Sequence, residues 1–489
     1  VKAEAWLADR SDRVIETSCA RIYLAGDTAL KIKRPVSLGF LDFSTLEKRK
    51  WALDRELAFN RRTAPDIYRR MVAVTGRDGG FAINGDGPVA EWALEMRRFD
   101  ADAVLSNQAE RVDGDLAERL GRLIARTHIA APPMSAESEI KGLEYAIASN
   151  AGHLRSLANA LGAEPVARVI EGADAALAKQ APLLHARRKD GFARQCHGDL
   201  HLGNILLEND APVLFDCIEF NDALSEIDTL YDLAFLVMDL DFLGRGAAAN
   251  RVLNAYLDEA ARGLPPSFWD GLAALPLMLS VRAAVRVHVN ANSGNIEAAR
   301  RYLAAAERHL ATPTPRLYAV GGLSGSGKTT FARTLAPKIP GAPGAVILRS
   351  DEIRKRLWSA RPLERLPAEA YGPGTALPVY EAMIEAARQI LAAGRPVVLD
   401  AAFLAPGERA QAEATARAAT VPFTGLWLDG DPETLRTRLA KRRGDASDAD
   451  ARVLETQLTR DLGALTWRRI SAGSDVEQEA GEVVERPGD

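Results

Sequence analysis

Cysteine is scarce in this chain. Cys19, Cys196 and Cys217 are scattered over 489 positions, too few and too far apart for a disulfide framework or a thiolate-rich zinc site. They read as small apolar residues in a reducing compartment. Net charge is nearly absent as well: 62 Lys plus Arg stand against 66 Asp plus Glu, a formal −4. A nucleic-acid binder usually shows a strongly basic domain or stripe, so nucleic acid is a disfavoured partner, although a local patch can hide in a balanced total. No apolar run reaches the ~18 residues of a membrane span. Residues 1–12 are charged and lack the apolar centre of a signal peptide. The expectation is a cytoplasmic protein without a membrane partner; oligomeric state is not legible.

Apolar residue is plentiful, at 47%, and a prior of roughly 150 residues per domain gives about three compact units. The clearest boundary is Thr312-Pro313-Thr314-Pro315, which ends a helical run at 296–310 and precedes a strand-like run at 317–320. Residues 1–312 read as a mixed N-lobe (about 1–95) and a helical C-lobe (about 96–312). In the N-lobe, 21–24 and 29–33 flank a Gly26-Asp27 turn as a hairpin. Ser44-Thr45-Leu46-Glu47 has the form of a capping box, opening a helix through Glu56 to about Arg61. Helical spacing recurs over 116–130 and 143–185, a strand-rich island occupies 195–220, and helices resume to 310. From 316 to 474, strand-like and helix-like runs alternate, the signature of a parallel α/β sheet. Six acids against Arg486 make 475–489 read as a disordered acidic tail. The fold class is therefore multidomain, an α+β first domain followed by an α/β parallel-sheet domain.

The sharpest motif is Gly322-Leu323-Ser324-Gly325-Ser326-Gly327-Lys328-Thr329, between a strand-like run and a helical one. Glycines let successive N–H groups turn inward on phosphate oxygens, Lys328 adds a point charge, and the Thr329 hydroxyl can ligate Mg²⁺. A helix starting at Thr330 adds its N-terminus. Gly322, Ser324, Gly325, Ser326, Gly327, Lys328, Thr329 and Thr330 are thus the expected nucleotide contacts, with Lys328 also catalytic. Later strands end at Asp351, Asp400 and Asp429, where ligands of open parallel sheets bind. Asp400 is the expected second Mg²⁺ holder; a capping acid is the simpler reading. In Asp351-Glu352-Ile353-Arg354, Asp351 can take the proton of an attacking hydroxyl while Arg354 pairs with an anionic group on the acceptor. A plain N-cap Asp is the alternative. Arg438 and Arg442 stand four apart before a turn-rich Gly444-Asp445 segment and fit arginines that close on a transferring phosphoryl group; a solvated basic face is the simpler reading.

A second constellation lies in the first domain. His197-Gly198-Asp199 is followed by Asn204 in the spacing H-x-D-x-x-x-x-N, then by two short strands around a polar turn that end at Asp216. Asn204 and Asp216 should emerge together at the open end of that hairpin, an amide and a carboxylate suited to Mg²⁺. Asp199 is placed to orient or deprotonate an acceptor hydroxyl. His197 with His201 as a metal pair is the competing reading.

On these motifs, residues 316 to about 465 resemble the small P-loop kinases that include gluconate kinase, polynucleotide 5′-kinase and zeta-toxin relatives. The D-x-x-R resembles the acceptor-side motif of the polynucleotide kinases, and the arginine segment resembles their lid. Residues 197–216 resemble the aminoglycoside and choline phosphotransferases, which share the protein-kinase fold. That resemblance implies an ATP-binding lysine on an N-lobe strand, Lys31 with Lys33 in reserve, paired with Glu56. With Gly39-Phe40-Leu41-Asp42-Phe43-Ser44 between them, nearly the whole chain is similar to an aminoglycoside-phosphotransferase-like group fused to a P-loop kinase. Two departures stand out: no glycine-rich loop precedes Lys31, and Cys217-Ile218 follows Asp216 in place of Phe-Gly. Eight acids and no Lys or Arg lie between Asp216 and Asp241, to meet a cationic acceptor or, with Asp228 and Asp232, to brace the loop. The implied function is a bifunctional kinase transferring phosphoryl groups from ATP, with Mg²⁺, to small-molecule hydroxyls. The alternatives are a nucleotide-binding regulatory protein with a weakly active or inactive first domain, and a nucleic-acid 5′-hydroxyl kinase.

Overall fold

The computed structural model describes residues 2–38, 41–134, 141–372, 374–441 and 444–486. Gly39 and Phe40 of the inter-lobe motif, Arg442 and the last three residues of the expected tail lie outside the described residues.

The N-lobe is an antiparallel sheet of β1 (Arg13–Glu16), β2 (Ala20–Ala25), β3 (Thr28–Lys33), β4 (Tyr68–Arg77), β5 (Gly80–Ile83) and β6 (Val89–Arg97), in the order β1-β2-β3-β6-β4-β5. Helix α1 (Leu46–Asn60) packs on it, burying Leu53 among Ile67, Tyr68 and Leu94. Its cap is Thr45, whose Oγ1 accepts the Lys48 N–H, so the helix starts one residue later than a box built on Ser44. Either hydroxyl could serve by pattern; the Asp42 carboxylate already takes the Ser44 N–H at 3.0 Å in a local turn.

The C-lobe holds α2 (Gly114–Ala130), α3 (Thr229–Phe242), α4 (Gly246–Ala260), α5 (Leu275–Asn292) and α6 (Ile296–Leu310). Helix α3 is buried from Thr229 to Leu240, and its apolar residues have no polar side to offer water. Strands β7 (Ile205–Glu208) and β8 (Ala211–Leu214) pair around Asn209 and Asp210, at φ 48° and 62°. Positive φ at both central residues gives a turn whose twist matches the strands, and Asn and Asp tolerate it.

Beyond Leu310 no helix or strand forms until β9 (Leu317–Gly322). With β10 (Val346–Arg349), β11 (Val397–Asp400), β12 (Phe423–Asp429) and β13 (Arg468–Ser471) it makes a wholly parallel sheet ordered β10-β11-β9-β12-β13. The accompanying helices include α7 (Lys328–Leu335), α8 (Ser350–Leu357), α9 (Ala376–Ala392), α10 (Pro432–Lys441), α11 (Ala451–Leu458) and α12 (Val476–Glu485).

Helix α12 corrects the expected disordered tail over 476–485. Asp475 caps it by accepting the Glu477 and Gln478 N–H groups, and Ala480 and Val483 are buried against Phe331 and Leu335 of α7. Lys338 meets Glu477 at 2.8 Å. The acid count concealed an apolar stripe at Val476, Ala480, Val483 and Val484, spaced for one helix face.

The two halves are joined closely. Strand β10 is a sheet edge, and α4 covers it: Ile347 N–H donates to Asn254 Oδ1 at 2.6 Å, and Asn254 Nδ2 donates to Ala345 O at 3.3 Å. Asn250 Nδ2 donates to Pro343 O and Ala345 O, both at 2.9 Å. Side-chain amides thus stand where a neighbouring strand's peptide groups would, protecting an otherwise open edge. Leu253 and Leu272 of the first domain and Val346 and Met383 of the second belong to one continuous buried apolar cluster.

The full chain is therefore expected to unfold in one calorimetric transition. Asn254→Ala, which strips the partner from the part-buried Ile347 N–H, should cost about 1–3 kcal/mol and lower the midpoint. Two separated transitions in the wild type would show that the halves are thermodynamically independent.

Candidate active sites

In the first domain, Lys31 and Lys33 are two apart on β3 and so share a face; both are buried. Between them sits the fully buried Glu56, 2.6 Å from Lys31 Nζ and 2.7 Å from Lys33 Nζ. Lys31 Nζ also donates to Asp216 Oδ1 at 2.8 Å, and Lys33 Nζ to Glu219 Oε1 at 2.6 Å. The result is a ladder of alternating charge, Asp216, Lys31, Glu56, Lys33, Glu219. Burial opposes the Glu56 charge, but the two ammonium groups hold its pKa at about 2. Burial also works against the Lys31 ammonium, yet Asp216 and Glu56 raise its pKa well above the usual lysine range. Glu219 is shifted up by burial, with Lys33 opposing. Of the two candidate lysines, Lys31 is the one that meets the hairpin acid. Glu219 was missed by sequence reasoning, where it passed as one acid in a run.

Asp216 has φ 59°, a left-handed conformation uncommon outside glycine. Its N–H donates to Tyr68 Oη at 3.1 Å, and its half-exposed carboxylate faces Lys31. Asn204, at the head of β7, donates Nδ2 to Asp199 O at 2.8 Å and Asp199 Oδ2 at 2.9 Å. Its Oδ1 has no described donor. An amide oxygen and an open carboxylate are hard ligands of the kind Mg²⁺ takes, so the residues present fit that ion.

Burial opposes ionisation of Asp199, but the hydrogen bond from His201 and the charge of Arg282 hold its carboxyl at about 2. His197 donates Nε2–H to Phe215 O at 2.9 Å and accepts the Asp199 N–H on Nδ1 at 3.4 Å. Burial pushes its pKa down, and with both nitrogens in use it shapes the loop as neutral imidazole. His201 Nδ1 likewise accepts the Gly203 N–H. The alternative of a His197/His201 metal pair does not fit these bonds.

The acid run braces this loop. Buried Asp232 accepts the His197 and Gly198 N–H groups at 3.1 and 2.8 Å, and Asp239 accepts that of Leu202 at 3.1 Å. Asp228 holds Arg187 by two bonds of 2.7 and 2.9 Å. Asp222 pairs with Arg55, and Asp241 with Arg308. The partners come from distant sequence, which is why the run looked uncompensated.

In the second domain, Gly325 and Gly327 have φ of 86° and 93°. A Cβ on Gly325 would also stand 2.7 Å from Leu435 O, so glycine is required there twice over. Helix α7 opens at Lys328, whose Nζ donates to Leu323 O at 2.9 Å. The Ser324 N–H donates to Gln457 Oε1 of α11 at 2.7 Å, a contact no motif signalled. Thr329 Oγ1 donates to Asp400 Oδ2 at 2.7 Å, so the two residues expected to hold Mg²⁺ are adjacent, and their oxygens fit it. Arg349, also unforeseen, binds both: Nη2 to Thr329 Oγ1 at 3.3 Å and Nε to Asp400 Oδ2 at 3.4 Å. Its Nη1 donates to Glu352 at 3.0 Å, and Nη2 reaches Asp445 at 3.2 Å. Its position directly before Ser350-Asp351, at the end of a strand aimed at the cradle, was the available signal.

A cavity of about 720 Å³ opens above this loop, lined by Lys328, Thr329, Thr330, Asp351, Tyr371 and Asp400 among others. Asp351 is not an N-cap; that position is Arg349, and α8 starts at Ser350. Arg354 and Arg438 both line this cavity. Arg354 donates to Ala370 O at 2.7 Å and Thr375 O at 3.3 Å and lies over the Tyr371 ring. Arg438 donates to Ser326 O of the loop at 3.4 Å and to Ala472 O at 2.6 Å.

Comparison with known proteins follows the same division. The model of the phosphotransferase enzyme family matches residues 53–266, and an AAA domain model matches 317–460. An uncharacterized protein of Mycobacterium tuberculosis (strain ATCC 25618 / H37Rv) is 30% identical over 487 residues, covering 96% of this chain and 94% of the relative. Among solved structures, a sugar kinase of Janibacter sp. HTCC2649 shares 25% identity over 36% of this chain and 92% of its own, with a TM-score of 0.25. An ethanolamine kinase of Plasmodium vivax shares 10% over 60% of this chain and 81% of its own, with a TM-score of 0.38. A protein-kinase-like phosphotransferase domain and a parallel-sheet P-loop kinase domain on one polypeptide, matched over 96% of its length by the mycobacterial relative, make this chain a kinase of that two-domain family.

Proposed function

We propose that the chain is a bifunctional phosphotransferase, moving the γ-phosphoryl group of ATP to hydroxyls of small molecules at two independent sites, one in residues 1–312 and one in residues 316–486. The observation that carries this reading is that the Lys31–Asp216 and Thr329–Asp400 pairs are separate and share no residue. At each site the acceptor oxygen bonds to the γ-phosphorus as the bridge to the β-phosphate breaks, ADP leaves, and the hydroxyl proton passes to a carboxylate or to water. Mg²⁺, when bound, neutralises the phosphate oxygens between which charge shifts.

The residues then have distinct tasks. Lys31, fixed by Glu56, pairs with ATP phosphates in the first domain; Asn204 and Asp216 hold the cation. Asp199, ionised at neutral pH, orients the acceptor hydroxyl. In the second domain the loop amides and Lys328 take the phosphates, Thr329 and Asp400 the cation, and Asp351 the acceptor proton. Transfer of this kind rests on positioning and electrostatics. The cavity volume of about 720 Å³ suits a small molecule.

With γ-labelled ATP and a panel of polyols, sugars, amino sugars and nucleosides, Asp199→Ala should abolish one set of labelled products and spare the other, and Lys328→Ala the reverse. Each loss should be about 100-fold or more. Loss of all products in either single variant would refute independent sites. Lys31→Met and Lys33→Met should also part company. The first leaves Glu56 paired with Lys33 and should chiefly remove first-domain turnover. The second strands buried Glu219 and should cost about 3–5 kcal/mol of stability, read as a lowered melting temperature. Equal destabilisation by both would contradict these roles.

A further inference from the structure

We propose that the cleft between the two domains is a second ligand site, which takes a phosphate-bearing small molecule and acts on the nucleotide centre of the P-loop domain. The cleft encloses about 740 Å³ between the N-terminal ends of α2 and α4 on one side and α7 with the end of β10 on the other. That volume falls within the range of small-molecule pockets, and no residue proposed for phosphoryl transfer other than Thr330 lines it.

Its wall is short of negative charge. Lys338 is met by Glu477 at 2.8 Å, Arg349 by Glu352 at 3.0 Å, and Arg122 by Asp258 at 2.6 Å. Among the described residues Arg251 and Arg333 pair with Glu118 alone, at 3.2 and 3.1 Å, and Arg122 draws on the same carboxylate at 3.2 Å. The Arg251 Nε lies within ion-pair range of Glu118 without hydrogen-bond geometry, and its guanidinium donates no hydrogen bond among the described residues. Burial, and then the Arg333 charge, pull the Arg251 pKa down to about 10. Arg333 is shifted the same way by burial and by Arg349. Crowded guanidiniums with unused donors raise the energy of the empty cleft, and a dianion between them relieves it.

Backbone donors point the same way. Helix α4 starts after Arg245 with no side-chain cap, and Gly246, Ala247 and Ala248 line the cleft. Their N–H groups belong to the first turn, which has no partners inside the helix. Planar guanidiniums beside a helix N-terminus suit a phosphate monoester or a pyrophosphoryl group.

The route to the nucleotide is short. Arg333 and Thr330 sit on α7, whose first turn carries Lys328 and Thr329. Arg349 lines the cleft and bonds Thr329 and Asp400 with the same guanidinium. A ligand drawing on Arg333 or Arg349 therefore changes the setting of the Thr329–Asp400 pair.

The test is equilibrium dialysis of labelled inorganic pyrophosphate against the full chain, with excess Mg²⁺ and both nucleotide centres filled by a non-hydrolysable ATP analogue. One further saturable site per chain is expected. It should persist in Lys328→Ala and weaken at least tenfold in both Arg251→Gln and Arg333→Gln, variants checked for unchanged melting temperature. In the wild type, pyrophosphate should shift the analogue's Kd at the P-loop centre, and in Arg251→Gln it should not. Absence of the extra site, its loss with Lys328→Ala, or unchanged affinity in both arginine variants would overturn the site. A Kd indifferent to pyrophosphate would overturn its action on the nucleotide centre.

Discussion

Charge buried away from water has to be matched by charge, and both centres are organised around that requirement. In the first domain, the three inner rungs of the Asp216–Lys31–Glu56–Lys33–Glu219 ladder each have two partners, and the buried end rung Glu219 depends on Lys33. The ladder fixes where β3 stands relative to α1, and it sets the hairpin end against the lobe above it. In the second domain, Arg349 performs the matching role, its one guanidinium shared by Glu352, Asp400 and Asp445. At a surface, water and salt would screen such pairs until they contributed little; here Glu56, Lys33, Glu219 and Arg349 are buried, so geometry and electrostatics constrain each other.

The same economy of partners governs the junction. A parallel sheet with an exposed edge invites pairing with another chain. Here Asn250 and Asn254 of the C-lobe close that edge with side-chain amides. The closure ties α4 to β10, and through β10 to Arg349 at its end. A helix of the first domain is thus separated from the second domain's nucleotide loop by the single strand β10.

The motifs, the strand-helix alternation after residue 316 and the hairpin carrying Asn204 and Asp216 were legible because each depends on local spacing. Gly325 and Gly327 announce their backbone conformations, and Asn209-Asp210 announces a turn. What was not legible required knowing partners far away in sequence. For the acids from Asp216 to Asp241 the sequence left open a cationic acceptor or bracing of the loop by Asp228 and Asp232; Asp232 does hold the loop amides, and Arg55, Arg187 and Arg308 meet Asp222, Asp228 and Asp241. Arg354 and Arg438 line the cavity, but the carbonyls at Ala370 and Ala472 that also hold them could not be read from spacing. The acidic tail was misjudged because composition outweighed the four apolar positions that face α7.

The hydrogen bond from the Ser324 amide to Gln457 has a consequence of its own. A phosphate oxygen seeking that amide finds it satisfied and must evict the carboxamide, so little enthalpy is gained from this one bond. What changes instead is one tie on α11, whose Leu454 stays packed against Leu435 and Leu439 and whose Glu455 stays paired with Arg436. An occupant of the loop therefore trades against a single side chain from the segment that follows Asp445, and the cost of that exchange falls on Gln457 alone.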